Sequence, residues 1–391
     1  MASPVFTESK FEPSADQKVA LEAILDFWDR RGKVLTLSGF AGTGKSTITA
    51  QAVKILRSKY KQSHNHVRIA FTCLTGKGAC VLREKLVRAG ALHDSDYCGT
   101  IHKLIYRPFL NSDDEIIGWK RNAEVDYEIL IVDEASMVSE RIYSDLMGYR
   151  LPTLFIGDGG QLPPVEGSFN LMDKPGLKLE KIHRQAENSP IIKLSLLARQ
   201  NGYIPVGKYG DYVSKISDYS IIDHVDRPED AMIIVAFNNF RNQINDRVRK
   251  RIGIISETPI VGDKIICLRN DHERGIYNGQ TALIEGIEED TEDAYSVRIK
   301  LDDGSVLRTL ASRHQFGQPT TLKKVPGYTR DNPIGLFDFG YALTCHKAAG
   351  SSHPRVLVFE QRSSFWDDEY YRRWLYTSVT RSSDRLLIIG T

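Results

Sequence analysis

At 391 residues, with 41% apolar and 26% charged side chains, the chain has the composition of a soluble globular protein long enough for two or three cored domains. No stretch reaches the roughly 18 uncharged apolar residues of a membrane span, and Met1–Phe11 lacks the layout of a signal peptide. Cytoplasmic residence without membrane contact is therefore expected (host cytoplasm, if the chain is phage-encoded). The formal net charge of +2 neither requires nor forbids a polyanionic partner, so a nucleic-acid groove would need local clustering of charge.

In chain order, Val34–Ser38 is a short apolar strand that ends in a glycine-rich turn, and Ser46–Leu56 has helical spacing. Between them, Gly39-Phe-Ala-Gly42-Thr-Gly44-Lys45-Ser46 fits the pattern G-x-x-x-x-G-K-[ST] without departure. Such a loop wraps phosphate with backbone N–H groups at a helix N-terminus, which favours anions. Lys45 would reach the β- and γ-phosphates, and the Ser46 hydroxyl would bind Mg²⁺. Further strands are predicted at Arg68–Thr72, Ile129–Val132 and Leu154–Ile156, with a hairpin formed by Tyr106–Leu110 and Glu115–Lys120. Continuous apolar runs separated by helices predict a parallel sheet buried on both faces, hence an α/β fold. The strand at Ile129–Val132 runs into Asp133-Glu134, a pair that either caps the next helix or, with a phosphate loop upstream, holds metal (Asp133) and activates water (Glu134).

After about residue 186 a second α/β pattern begins: helix Ile191–Ala198, strand Met232–Phe237 and a polar helix Asn239–Arg251. That helix carries Arg241, Arg247, Arg249, Lys250 and Arg251, readable as a basic patch or as a solvated face. Short alternating strands follow at Asp263–Leu268, Thr281–Ile287, Tyr295–Leu301 and Ser305–Leu310, predicting a small inserted all-β unit. The α/β rhythm resumes with Tyr341–Thr344, Arg355–Phe359 and Arg385–Ile389. The five cysteines have no metal-ligand spacing and read as core filler in a reducing compartment.

Taken in order, these motifs resemble a superfamily 1 helicase. Asp133-Glu134-Ala135-Ser136 is similar to its motif II and Gly157–Val165 to motif III. Ile182–Pro190 is similar to motif IV, Tyr341–Lys347 to motif V and Tyr376–Arg381 to motif VI. The form Tyr-Ala-Leu-Thr-x-His-Lys, with Gly262-Asp263-Lys264 leading to Gly275–Gly279, resembles the superfamily 1B RecD/Dda-like group, nearest in size and layout to the phage Dda type. The resemblance implies two RecA-like motor domains, at 1–185 and at 186–255 with 335–391. It also implies a pin hairpin at about 105–121 and a Src-homology-3-like β domain inserted at 256–334.

For function, the resemblance implies ATP hydrolysis with Mg²⁺, 5′ to 3′ movement on single-stranded DNA, and separation of a duplex that carries a 5′ tail. Single-strand-binding or replication proteins become candidate partners, and activity as a monomer is expected. Gln17 would recognise adenine, and Gly39, Ala41, Gly42, Thr43, Gly44, Lys45, Ser46 and Thr47 would hold the nucleotide. Asp133 and Ser46 would hold the metal. Glu134 would be the general base, Gln161 the γ-phosphate sensor, and Arg184 and Arg381 the arginine fingers. Thr75, Thr100, His102, Phe237, Asn238, Thr344, His346 and Lys347 would line the DNA path, with Phe109 as a strand-separating wedge and Trp119 behind it.

Two positions depart from the family pattern. Leu74 stands where Pro is usual, and Ala349 where Gln is usual, which bears on how nucleotide state couples to DNA grip. A translocase, or a nucleotide-dependent DNA-binding switch without processive unwinding, would share the same motor core.

Overall fold

The computed structural model describes residues 12–61, 67–110, 116–164, 169–182, 188–271, 274, 276, 278–301, 304–329 and 332–391. The first half begins α1 (Ala15–Asp29), β1 (Val34–Gly39), α2 (Lys45–Lys61), β2 (Ile69–Cys73), α3 (Gly76–Arg88), β3 (Tyr97–Thr100) and α4 (Ile101–Ile105). It continues with the hairpin β4 (Tyr106–Leu110) and β5 (Ile116–Arg121), then β6 (Ile129–Asp133), α5 (Glu140–Met147), β7 (Thr153–Gly157) and β8 (Leu177–Leu179).

Six of these strands form one parallel sheet in the order β3-β2-β6-β7-β1-β8. Its central strands are buried on both faces, as their unbroken apolar runs predict: Leu37, Phe71, Ile131, Leu154 and Phe155 are fully covered. Ile24 and Trp28 of α1 pack on this sheet with Ile48, Val53 and Leu56 of α2. Because β6, β7 and β1 are parallel neighbours, their carboxyl ends emerge side by side, which is where open α/β sheets bind ligands.

The second half contains α6 (Pro190–Asn201), β9 (Gly207–Gly210), β10 (Val213–Ile216), β11 (Met232–Val235) and α7 (Asn238–Arg251). It then runs through β12 (Lys264–Cys267), β13 (Thr281–Asp290), β14 (Ala294–Leu301), β15 (Val306–Ser312), β16 (Ile334–Gly335) and β17 (Phe337–Phe339). The chain closes with β18 (Ala342–Thr344), α8 (Cys345–Ala348), β19 (His353–Phe359), α9 (Asp368–Val379) and β20 (Ser382–Ile389). The order β18-β11-β19-β20-β10-β9 is parallel except for the antiparallel edge strand β9.

The inserted β unit is a separate sheet, β16-β15-β14-β13-β12-β17, antiparallel apart from the β15–β16 pair. In β14, Val297, Ile299 and Leu301 turn inward while Arg298 and Lys300 face out, the period of two expected of a half-covered strand. The insertion leaves and rejoins the chain at one place, because β12 and β17 pair with each other, Ile265 opposite Phe339.

The basic run on α7 is neither a patch nor a solvated face throughout. Arg241 and Arg249 are buried, paired with the buried carboxylates Asp338 and Asp263. Arg247 and Lys250 face outward, paired with Asp223 and Asp246. The two inward arginines bind α7 to the ends of the insertion, and the sequence could not separate them from their exposed neighbours.

Candidate nucleotide site and the faces around it

The loop after β1 takes its shape from Gly42 and Gly44, both at φ 83°, a left-handed conformation that side chains resist. Thr43 is buried; its hydroxyl donates to Phe40 O at 2.9 Å and its carbonyl accepts from Gln17 Nε2 at 3.0 Å. The Gln17 oxygen accepts the Ser14 N–H at 3.1 Å, so the Gln17 amide ties the start of α1 to the loop. Lys45 Nζ donates to the carbonyls of Gly39 and Phe40, the latter at 3.1 Å, and so bridges its own loop. Ser46 and Thr47 lie in the first turn of α2, Ser46 half-buried and Thr47 exposed.

Asp133 ends β6 and Glu134 follows at φ 54°, ψ 37°, an uncommon conformation for a residue with a Cβ. That turn lets the Glu134 N–H donate to Asp133 Oδ1 at 2.9 Å. Burial, then the charge of Glu134, pushes the Asp133 carboxyl above its ordinary range, while Lys85 and Lys45 pull it back. A divalent cation would relieve this carboxylate, and Ser46 and Asp133 are the hard oxygen donors that Mg²⁺ takes. Among the described residues no group of three or more His, Cys, Asp or Glu side chains could hold a metal alone.

The third strand end, after β7, is locked to the other two. Ser136 Oγ donates to Asp158 O at 3.0 Å and accepts the Asp158 N–H at 2.9 Å. Gly159 N donates to Ser38 Oγ at 3.2 Å. Gln161, largely buried, donates its N–H to Asp158 O at 3.0 Å.

The second half of the chain closes on this cluster through α9 and α6. Tyr376 donates its hydroxyl proton to Asp158 Oδ2 at 2.6 Å and accepts the Ala41 N–H at 3.1 Å. Leu162 N donates to Thr377 Oγ1 at 3.0 Å. The Arg199 guanidinium lies 3.5 Å above the centroid of the Phe40 ring, a cation–π contact onto the loop itself. Burial lowers the pKa of Arg199, and the nearby Asp158 and Tyr376 oppose that shift. Sequence reasoning missed Arg199 altogether, and it quoted Tyr376 in its motif without giving it a role.

Arg381 is 5% exposed and holds to its own half. Its Nε donates to Thr377 O at 3.0 Å, Nη1 to Ser351 O at 3.1 Å and Nη2 to Thr380 Oγ1 at 3.2 Å. Among the described residues its hydrogen bonds do not reach the loop after β1. Arg184 lies outside the described residues.

The family model described as an AAA domain matches residues 22–167, and that described as a UvrD-like helicase C-terminal domain matches residues 339–389. An ATP-dependent DNA helicase Pif1 from Campylobacter jejuni is 25% identical, over 84% of this chain and 85% of that protein. The RecBCD enzyme subunit RecD from Buchnera aphidicola is 26% identical, over 92% of this chain and 70% of that protein. The chain is thus similar to Pif1-like and RecD-like superfamily 1 helicases at both of its ends. The Dda-type layout is compatible with that placement. A crystal structure of Pif1 helicase from Bacteroides, in complex with ADP-AlF3 and ssDNA, superposes with a TM-score of 0.57 at 17% identity. It covers 97% of this chain and 92% of that one. Pif1 helicase from Candida albicans gives a TM-score of 0.51 at 16% identity, over 97% and 95%. The shared fold is the pair of RecA-like domains.

In this helicase-like chain, the segments expected to line a DNA path are brought partly together. Thr75 caps α3 by accepting the Gly78 N–H at 3.1 Å, and a Cβ placed on Gly350 would lie 3.2 Å from its hydroxyl, so the two domains meet there. Lys347 Nζ donates to Asn278 Oδ1 at 2.5 Å, which joins motif V to the inserted sheet. Thr344 is the residue before α8. His346 is half-buried with Nε2 at 3.3 Å from the Tyr370 hydroxyl, and burial lowers its pKa. Phe237 is 37% exposed beside Trp366, with ring centroids 5.6 Å apart, and Asn238 opens α7 on the surface.

Thr100 is buried and its hydroxyl accepts the Lys103 N–H at 3.2 Å, so it serves as the cap of α4. His102 packs 5.5 Å from the Tyr106 ring. On the hairpin, Phe109 pairs with Gly118, its side chain outside the described residues, and Trp119 is 50% exposed. A cleft of about 410 Å³ runs between α3 and the inserted sheet, lined by Lys77, Glu84, Lys264, Gln280 and His353 among others.

Proposed function

We propose that this chain is an ATP-dependent DNA helicase that moves 5′ to 3′ along single-stranded DNA and separates the duplex ahead of it. What carries the reading is the convergence of Gly39–Ser46, Asp133–Ser136 and Gly157–Gln161 at three adjacent parallel strand ends, with Tyr376 and Thr377 of the second domain bonded onto them. A triphosphate in the loop would be held by backbone N–H groups and by Lys45, once its ammonium leaves the Gly39 and Phe40 carbonyls. Mg²⁺, held by Ser46 and Asp133, would supply charge neutralisation at the phosphates.

Glu134 orients and deprotonates the attacking water, and Gln161 senses the γ-phosphate. Gln17 recognises adenine, with its amide already set against Thr43. Arg381 and Arg184 complete the cleft as arginine fingers, Arg381 by exchanging its carbonyl partners for phosphate. Cleft closure and opening then move the domain units, 1–185 against 186–255 with 335–391, along the strand. The inserted unit, expected at 256–334 and carried on to Phe339 by β17 of its sheet, borders the path through Asn278. The DNA is gripped by Thr75, His102, Phe237, Asn238, Thr344, His346 and Lys347, with Thr100 shaping the α4 end of the path. Phe109 wedges the duplex. The protein acts as a monomer on 5′-tailed DNA, alongside single-strand-binding or replication proteins.

The test compares ATP-driven strand separation of 5′-tailed and 3′-tailed DNA duplexes. Separation of the 5′-tailed substrate is expected. Separation of only the 3′-tailed one would overturn the direction, and separation of neither would reduce the protein to a translocase or switch.

A further inference from the structure

We propose that Tyr376 is a positioning residue for ATP hydrolysis, its hydroxyl holding the second domain in register with the phosphate loop and with Asp158. The proposal rests on the reading of the cleft as an ATP site.

A phenol has one proton to give and an oxygen that accepts. Both functions are committed across the domain boundary, the proton to Asp158 Oδ2 and the oxygen to the Ala41 N–H. The Ala41 amide belongs to the loop that wraps phosphate, so a second-domain hydroxyl is seated on a donor that seeks negative charge. Asp158 is itself fixed: Oδ1 accepts the Gly160 N–H at 2.9 Å, and its backbone N–H and C=O both bond to Ser136 Oγ. Ser136 stands two residues beyond Glu134. One unbroken chain of hydrogen bonds therefore runs from the phosphate loop through Tyr376 and Asp158 to the segment that carries the water-activating carboxylate.

On its other side, the same helical turn holds Arg381. The Thr380 hydroxyl lies 3.0 Å from the carbonyls of both Tyr376 and Thr377, and Arg381 donates to Thr377 O and to that hydroxyl. A rotation of α9 that carries Arg381 toward phosphate must move Tyr376 with it. The hydroxyl is thus placed to report the position of the arginine to the loop. The Tyr376 ring contributes separately, by edge contact with Phe40 at a centroid distance of 6.3 Å.

Tyr376→Phe isolates the hydroxyl, because it keeps the ring contact and the packing. Steady-state ATP hydrolysis would be measured with saturating oligo-dT, together with fluorescent-ADP binding and thermal melting. The expected result is a fall in kcat of about tenfold or more, from the loss of two hydrogen bonds, one to the Asp158 carboxylate and one from the Ala41 N–H, with KM for ATP and ADP affinity nearly unchanged. A lowered melting temperature with unchanged kcat would make the contact merely structural and overturn the proposal. So would a rise in KM with kcat unchanged. If Tyr376→Phe fails to fold, Asp158→Asn keeps an acceptor for the phenol but removes its charge, and the same split between kcat and KM decides. A wild type that does not hydrolyse ATP in the presence of DNA overturns the reading of the cleft, and the proposal with it. An active wild type beside an unimpaired Tyr376→Phe overturns the proposal alone.

Discussion

Arg249 on α7 grips Asp263, just ahead of β12, with both prongs of its guanidinium, Nε to Oδ1 at 2.9 Å and Nη2 to Oδ2 at 3.0 Å. The same carboxylate accepts the Tyr341 hydroxyl at 2.9 Å and the Ile260 N–H at 2.9 Å, and both charges are buried. Removing one partner strands the other without water. Arg249→Ala is expected to cost about 3–5 kcal/mol of unfolding free energy, whereas Lys250→Ala on the exposed face should cost less than about 1 kcal/mol. Urea unfolding of the two variants checks the contrast; equal losses would place Arg249 outside the core.

Lys45→Ala is expected to lower DNA-stimulated ATP hydrolysis by at least about a hundredfold while leaving the circular dichroism spectrum and melting profile near those of the wild type. In the structure Lys45 bonds only the Gly39 and Phe40 carbonyls among the described residues, so its loss removes little from the fold. Appreciable residual turnover would sink the assignment.

Arg381→Ala should act on stability and on catalysis. Arg381 gives up two buried hydrogen bonds, to Thr377 O and Ser351 O, and a half-buried one to Thr380 Oγ1, which costs about 1–3 kcal/mol. ATP turnover should fall by about a thousandfold, with nucleotide binding retained. Isothermal titration with ADP beside a turnover assay separates these effects, and lost binding would mean that Arg381 acts on the ground state.

Phe109→Ala should impair duplex unwinding more than single-strand-stimulated ATP hydrolysis, since the hairpin β4–β5 hydrogen-bonds within itself as its own two-stranded sheet, outside the motor sheets. An equal fall in both activities would rule out a dedicated wedge.

Burial holds the His346 ring below its ordinary value of 6.5. The unfolded chain therefore takes up this proton more readily than the folded one, and stability falls as pH drops through about 6.5. His346→Gln should flatten that part of the pH–stability curve. A curve with the same slope in wild type and variant would show that His346 is not its source.

What the sequence disclosed follows from how local each signal is. The phosphate loop is contiguous and was legible in full, and strands such as Ile69–Cys73 declare themselves through unbroken apolar runs. Tyr97–Thr100, Leu177–Leu179 and Gly207–Gly210 were not legible: each is short, lies at a sheet edge and lacks an apolar run. The burial of Arg241 depends on Asp338, nearly a hundred residues away, and no helical periodicity could disclose it. The same holds for Arg199 on Phe40 and Tyr376 on Asp158, contacts that exist only once the two sheets have docked. At Thr100 the structure adds a local role that the motif position did not disclose, the hydroxyl capping α4.

The pairing of β12 with β17 makes the inserted sheet a loop whose two stems are already zipped together. Closing such a loop costs only a logarithmic increment of chain entropy as it lengthens. The motor can therefore tolerate growth, exchange or pruning between those stems while α7 and β18 keep their places in the second domain. Divergence among relatives should concentrate there, and grafting a foreign unit onto the stems, with Arg249 and Asp263 retained as the weld, is the natural point at which to redesign what the machine touches.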